Sequence, residues 1–119
     1  MGKLMEKEET ARKWPEIAVE TTVQIIGGKW KGIILYHLIE GEIRFNQLRR
    51  QMPGITQRML TLQLRDLEKN GIIDRIVYQE IPPRVGYRLS ELGRSLVPLV
   101  MQMKSWGEKY QKQTGSPQA

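Results

Sequence analysis

Residues 54–71 read GITQRMLTLQLRDLEKNG, eighteen residues with a glycine at each end. Thr56 suits a helix N-cap, because its hydroxyl can accept from a free amide of the first turn. Gly71 suits the left-handed residue that closes a helix. At about 100° per residue, Leu60, Leu64 and Leu67 fall in one narrow stripe. Gln57, Arg58, Thr61, Leu62, Arg65 and Lys69 spread over the other side. That face carries more hydrogen-bonding reach than solubility alone requires, so its neighbours decide what it is for.

Upstream, IRFNQLRRQM places Phe45, Leu48 and Met52 at i, i+3, i+7, which predicts a short helix broken by Pro53-Gly54. Before it, KWKGIILYHLIEG predicts a buried helix through Trp30, Ile33, Ile34 and Leu38, closed by Gly41. Ile17, Val19, Val23 and Ile26 predict a helix ended by Gly27-Gly28. The charged residues ahead of it lack periodicity, so 1–16 reads as a flexible N-terminal arm, 17–112 as the folded domain and 113–119 as a disordered tail. Downstream, IIDRIVYQEIPPRVGYRLS reads as a β-hairpin with a proline-stiffened tip at Pro82-Pro83. In its second strand Val85, Tyr87 and Leu89 alternate with Arg84, Gly86 and Arg88, giving one buried and one basic face. The first strand alternates too poorly to assign an inward face. Ser90 suits the cap of a last helical region with Leu92, Leu96, Leu99 or Val100, Met103 and Tyr110 as its stripe; Pro98 inside it predicts a kink or a restart.

The 119 residues suffice for one ordinary core. With 39% apolar and 27% charged residues, the composition is that of a soluble globular protein. No apolar run is long enough to span a bilayer, and MGKLMEKEETARKW lacks a secretory apolar segment, so a cytoplasmic location is expected. The absence of cysteine excludes disulfides, thiolate catalysis and cysteine-bound metal in this chain. With a single histidine and no catalytic constellation, neither an enzyme nor a cofactor is expected. The net charge of +6 is uneven: residues 1–40 hold six basic and six acidic groups, 41–88 nine and five, 89–119 four and two. The surplus therefore begins after the first third and includes the 54–71 helix.

A short helix, a glycine-containing turn and a second helix with a polar outer face form a helix-turn-helix. A basic hairpin directly after it makes the arrangement mainly α with a small β-hairpin wing, a winged helix-turn-helix. A helix about 10–12 Å across fits the B-DNA major groove, about 12 Å wide. The outward face is accordingly read as meeting base edges and phosphates of double-stranded DNA. Arg58 and Arg65 can make paired bonds to guanine and Gln57 to adenine, while Thr56 and Thr61 suit a phosphate or a thymine methyl. Leu62 either covers a thymine methyl or is tolerated in solvent.

IIGGKWKGIILYHL, IRFNQLRRQMPGITQRMLTLQLRDLEKNGII and IPPRVGYRLSELGRSL resemble, in order and spacing, the HxlR-type family of bacterial transcription regulators, over roughly residues 17–110. The resemblance implies a MarR-like winged helix acting as a homodimer, joined through terminal helices, on inverted-repeat operators. By position the recognition helix begins at Thr56 and the wing surrounds Pro82-Pro83. There are two departures. Where electrophile- or oxidant-sensing members begin the first helix with Cys-Pro-Val, this chain has Ile17 and Ala18, so a thiol switch cannot operate there. Where the wing strand usually reads Val-Glu-Tyr, this chain has Val85-Gly86-Tyr87, so that carboxylate is absent.

The expected DNA-contacting residues are Thr56, Gln57, Arg58, Thr61, Arg65 and Lys69 on the recognition helix, Arg49 and Arg50 before it, and Arg84 beside the wing tip. Singly, each arginine fits an ordinary solvated surface equally well; together on a helix-turn-helix they favour phosphate. Arg75 and Arg88 are weaker candidates. Leu96, Val100, Met103, Trp106 and Tyr110 are the expected dimerisation residues, and Trp30 and Tyr36 are read as core. His37 reads as a partly buried packing residue. A cleft between the terminal helices and the winged domain is the expected seat of any small-molecule effector, which the sequence does not name. The alternative is a winged-helix protein-interaction module without specific DNA binding, which predicts an acidic or apolar recognition face rather than this basic one.

Overall fold

The structure, a computed structural model, describes residues 2–115, with side chains from residue 13 onward. The order is α1 (Gly2–Ile26), α2 (Lys31–Leu38), β1 (Ile43–Arg44), α3 (Phe45–Gln51), α4 (Gln57–Lys69), β2 (Ile73–Tyr78), β3 (Arg84–Leu89), α5 (Glu91–Arg94) and α6 (Val97–Thr114).

The first helix is longer than expected. Residues 2–16, read as a loose arm, continue α1, with Pro15 inside it. The segment has no apolar periodicity, yet Leu, Met, Glu, Lys, Ala and Arg are strong helix formers, so propensity extends the helix where patterning gives no signal. At the other end α6 reaches Thr114 and closes on Gly115 at φ 63°. Residues 113 and 114, read as tail, are thus helical, and the expectation for 116–119 lies outside the described residues.

The hairpin forms as expected, antiparallel from Ile73↔Leu89 to Tyr78↔Arg84. A third strand joins it: β1 pairs with β3 through Ile43↔Tyr87 and Arg44↔Gly86, giving the order β1-β3-β2. Two residues are too few for an alternation to register in sequence. Strand β2 changes its covered face along its length, which is why its pattern resists assignment. Ile73 is buried at the base, whereas Ile76 and Tyr78 are half-buried nearer the tip and Val77 is exposed.

Leu60, Leu64 and Leu67 of α4 are fully buried against Leu48 and Met52 of the α3 end, Ile55 of the turn, and Ile34, Leu35 and Leu38 of α2. Each buried leucine contributes about 1.5–3 kcal/mol relative to exposure. Ile72, Ile73, Tyr87 and Leu89 bring the sheet into this core, and Ile26 and Val100 bring in the terminal helices. Trp30 is half-buried against the same core, as expected. Tyr36, also read as core, is 42% exposed. With Ile33 it lies on the side of α2 opposite Ile34, Leu35 and Leu38. Pro98 produces a restart: α5 ends at Arg94, and α6 begins with Pro98 in its first turn, where the missing amide has no partner to lose.

The radius of gyration, 18.0 Å, exceeds the roughly 13.5 Å expected of a compact chain of this size. Helices α1 and α6 carry large apolar side chains outward: Trp14 is 64%, Val19 66% and Trp106 67% exposed.

Candidate nucleic-acid interface

Helix α4 is positioned from both ends. The Thr56 hydroxyl accepts from the Met59 amide at 3.0 Å, which fixes the start. Gly71 adopts φ 74°, and the Gly71 and Ile72 amides bond back to Glu68 and Leu67, which fixes the end. Lys31 of α2 pairs with Asp66 at 3.0 Å and ties the helix sideways to the core.

With the leucine stripe inward, Arg58, Leu62, Arg65 and Lys69 form the outermost row at i, i+4, i+7, i+11, and all four are exposed. Gln57 is exposed beside it, while Thr61 is half-buried with its hydroxyl donating to the Gln57 carbonyl at 2.9 Å. Arg49 and Arg50 are exposed on α3. Among the described residues, Arg44, Arg49, Arg50, Arg58, Arg65 and Lys69 pair with no carboxylate. Their charge is therefore uncompensated locally, as a surface that attracts polyanions requires.

Arg84 differs from the other candidates. Its guanidinium lies 4.1 Å above the Tyr78 ring and its Nη2 is 3.3 Å from Glu80. Its Nε–H is buried without a partner. The Tyr78 hydroxyl in turn donates to the Glu42 carboxylate, 2.7 and 2.9 Å from its two oxygens. That bond, with desolvation and the Glu42 charge adding to it, raises the Tyr78 pKa above the ordinary phenol value. A Cβ added at Gly86 would run into the same carboxylate. The carboxylate that the wing strand lacks at position 86 is therefore not missing from the wing, because Glu42 inserts one from the α2–β1 connection. No pattern around Glu42 signals this, because the contact joins residues 36 apart in sequence.

Beside the wing tip, a cleft of about 790 Å³ runs between the hairpin and the start of α3, lined among others by Arg44, Asn46, Arg50, Glu80 and Arg84. Arg44 was not among the expected contacts; the clue in sequence was a basic residue immediately before the helix-turn-helix.

Helix α6 divides the expected dimerisation residues. Met103, Trp106 and Tyr110 are exposed, the last two stacked at 5.2 Å between ring centroids. Val100 is only 5% exposed and belongs to the subunit's own core, and Leu96 packs half-buried against that core. Neither faces outward, because this side of α6 lies on α2. Between α2 and α6 runs an apolar cleft of about 430 Å³, with Ile33, Tyr36 and Met103 among its walls and Lys29 and Lys104 also lining it. No helix among the described residues is long and apolar enough to cross a membrane.

The HxlR-like helix-turn-helix family model matches residues 25–115, from the end of α1 to the end of α6. The chain belongs to this family. Its similarity is high to the uncharacterized HTH-type transcriptional regulator YdeP of Bacillus subtilis, 64% identical over 92 residues, 77% of this chain and 72% of the relative. An uncharacterized HTH-type transcriptional regulator of Methanothermobacter thermautotrophicus is 50% identical over 93 residues, 78% of this chain and 71% of the relative. The solved structure of redox regulator HypR in its reduced form aligns with a TM-score of 0.79 at 57% identity, covering 84% of this chain and 99% of that one. The oxidized form aligns at 0.75 and 61%, covering 77% and 95%. As a member of this family the chain is a DNA-binding transcriptional regulator rather than an enzyme, and its fold is the winged helix of MarR-family neighbours. Redox regulation is HypR's; the present chain has no cysteine with which to perform thiol chemistry.

Proposed function

We propose that the protein is a sequence-specific regulator that binds an inverted-repeat operator as a homodimer, each subunit laying α4 in a major groove and its wing on the adjacent minor groove or backbone. The carrying observation is the row Arg58–Leu62–Arg65–Lys69, exposed and unpaired on the second helix of a helix-turn-helix. Arg58 and Arg65 are the base-reading candidates, with Gln57 beside them. Thr56, Arg49, Arg50 and Lys69 are assigned to the backbone, and so is Thr61, whose hydroxyl is already engaged. The dimer is assigned to the outward apolar residues of α1 and α6, chiefly Trp14, Val19, Val23, Met103, Trp106 and Tyr110. For a small-molecule effector the α2–α6 cleft offers an apolar seat. Action on chromosomal DNA implies a cytoplasmic location.

Two-fold symmetry then sets half-sites about 10 base pairs apart centre to centre, or a multiple of that. The test is selection of bound duplexes from random DNA, followed by titration of the winner at two salt concentrations, with molecular mass measured by light scattering. An enriched inverted repeat bound by a dimer supports the reading. Weak binding that salt abolishes, without enrichment, leaves only non-specific electrostatics and turns attention to the protein-interaction alternative. Arg65→Ala is expected to cost about 1–3 kcal/mol of affinity, with relaxed preference at one position, if Arg65 reads a base.

A further inference from the structure

We infer that the cleft between the start of α3 and the wing tip is a seat for one DNA-backbone phosphate, gripped by Arg44, Arg50 and Arg84, with Glu80 as an internal carboxylate that the phosphate displaces. The inference rests on the DNA-binding reading and goes beyond it by naming a site, its ligand and a residue that opposes binding.

The cleft brings three arginines from three elements to one place: Arg44 from β1, Arg50 from α3 and Arg84 from β3. Glu80 is the one carboxylate among its lining residues. Arg44 and Arg50 are exposed and have no carboxylate partner among the described residues. Asn46, also in the lining, adds a neutral amide donor. One carboxylate against three guanidiniums leaves the space with a positive surplus, and phosphate oxygens accept the paired bonds that the planar guanidinium offers.

Arg84 is incompletely satisfied where it stands. Glu80 takes one nitrogen at 3.3 Å, longer than a good charge-assisted bond, and the buried Nε–H has no acceptor. The Tyr78 ring below it, held by Glu42, keeps the guanidinium beside the cleft rather than free in solvent. A phosphate entering between Arg44 and Arg50 offers Arg84 a better acceptor than Glu80. The Glu80 carboxylate then lies close to an anion of its own sign and opposes binding.

The test uses the full chain and the duplex enriched by selection, titrated over a salt series. Arg44→Ala is expected to weaken binding about 5- to 20-fold evenly across sequences and to flatten the salt slope by about one. Glu80→Gln is expected to tighten binding several-fold. In phosphate-ethylation interference, one ethylated position per half-site should block the wild type and no longer penalise Arg44→Ala. Arg44 caps α3 through its backbone alone, with no side-chain bond to lose; Arg44→Gln serves as a second variant, and thermal melts confirm that both fold. An unchanged salt slope and interference pattern in the arginine variants, with wild-type operator binding intact, would overturn the phosphate seat alone. Weaker binding in Glu80→Gln would overturn the displacement, since Glu80 would then be holding Arg84 in its binding position. Failure of the wild type to enrich any duplex would remove the underlying DNA reading and the seat with it.

Discussion

Gly86 and Glu42 supply a sharp test of how the wing is held. Gly86 pairs with Arg44 on one side and Ile76 on the other, and its backbone has no positive φ, so nothing in the chain path demands glycine there. A strand interior ordinarily gains about 0.5–1 kcal/mol when glycine becomes alanine. Here the added methyl runs into the Glu42 carboxylate. That carboxylate ends a flexible side chain, so it moves aside, and in moving it leaves the Tyr78 hydroxyl that it holds at 2.7 Å. Glu42 is exposed and water reaches the Tyr78 hydroxyl, so the bond is screened and its loss offsets only part of the gain. Gly86→Ala should therefore stabilise the wild type by less than strand propensity alone provides. With Glu42→Ala already in place there is nothing to displace, and the same substitution should stabilise by the full ~0.5–1 kcal/mol. The coupling between the two sites is the difference between those two gains, on the order of the ~0.5–1 kcal/mol that the methyl contributes, which a double-mutant cycle resolves between contacting residues.

Urea denaturation of the four proteins at one fixed concentration measures the cycle, since self-association would otherwise shift every midpoint. With m of about 1–3 kcal/mol/M, the coupling appears as several tenths of a molar in midpoint. Additivity of Gly86→Ala in both backgrounds would refute the argument. The Tyr78 titration gives an independent reading. Because its pKa is raised in the fold, the stabilisation is present below the ordinary phenol value and is lost as pH rises through the raised one. Spectrophotometric titration should find a tyrosine ionising at lower pH once Glu42→Ala removes the bond.

Thr56→Ala removes the hydroxyl that accepts from the Met59 amide and should cost about 1 kcal/mol, or several degrees in Tm; serine at the same position should restore most of it. Paired Val19→Asp and Trp106→Asp substitutions on the exposed faces of α1 and α6 should give a monomer by light scattering while leaving the helical circular dichroism unchanged, because neither side chain belongs to the subunit core. His37 is half-buried and desolvation lowers its pKa below the ordinary histidine value. The unfolded chain therefore binds its proton first, so stability is full above about pH 6.5 and declines as pH falls through the lowered value. His37→Gln should flatten that decline in a series of melts.

What the sequence disclosed was local and periodic. The leucine stripe of α4, the Thr56 and Ser90 caps, the Gly71 stop and the restart at Pro98 each depend on residues within a turn or two of one another. The contacts that complete the wing are not local. Glu42 meets Tyr78 across 36 residues, and Gly86, read as a lost carboxylate, is better understood as room made for one. Likewise β1 exists because β3 is there to pair with it, and its two residues carry no pattern of their own. Val100 illustrates a subtler limit. Periodicity says that α6 has an apolar stripe, but a stripe has two edges, and only packing shows that Val100 turns inward while Trp106 turns outward. Arg84 shows the same limit for charge, since its type and position suggest a free cation whereas Glu80 and Tyr78 already engage it.

Charge and apolar exposure divide the molecule in a way that bears on the proposed dimer. Residues 1–40 carry six charges of each sign, and the exposed apolar side chains of α1 lie within them. Residues 41–88, from β1 through the hairpin, carry the surplus of four. Two copies can therefore meet through α1 without bringing like-charged regions together, whereas meeting through the helix-turn-helix would set uncompensated arginines against each other. Docking through the terminal helices thus leaves both basic faces free. Because α4 is tied to α2 through Lys31–Asp66 and α2 packs on α6, the separation of two recognition helices would be set by the same packed elements that join the subunits. A substitution that reorients α6 without breaking the dimer should accordingly change the preferred half-site spacing more than the half-site sequence, and selection on libraries of variable spacing would separate those two effects.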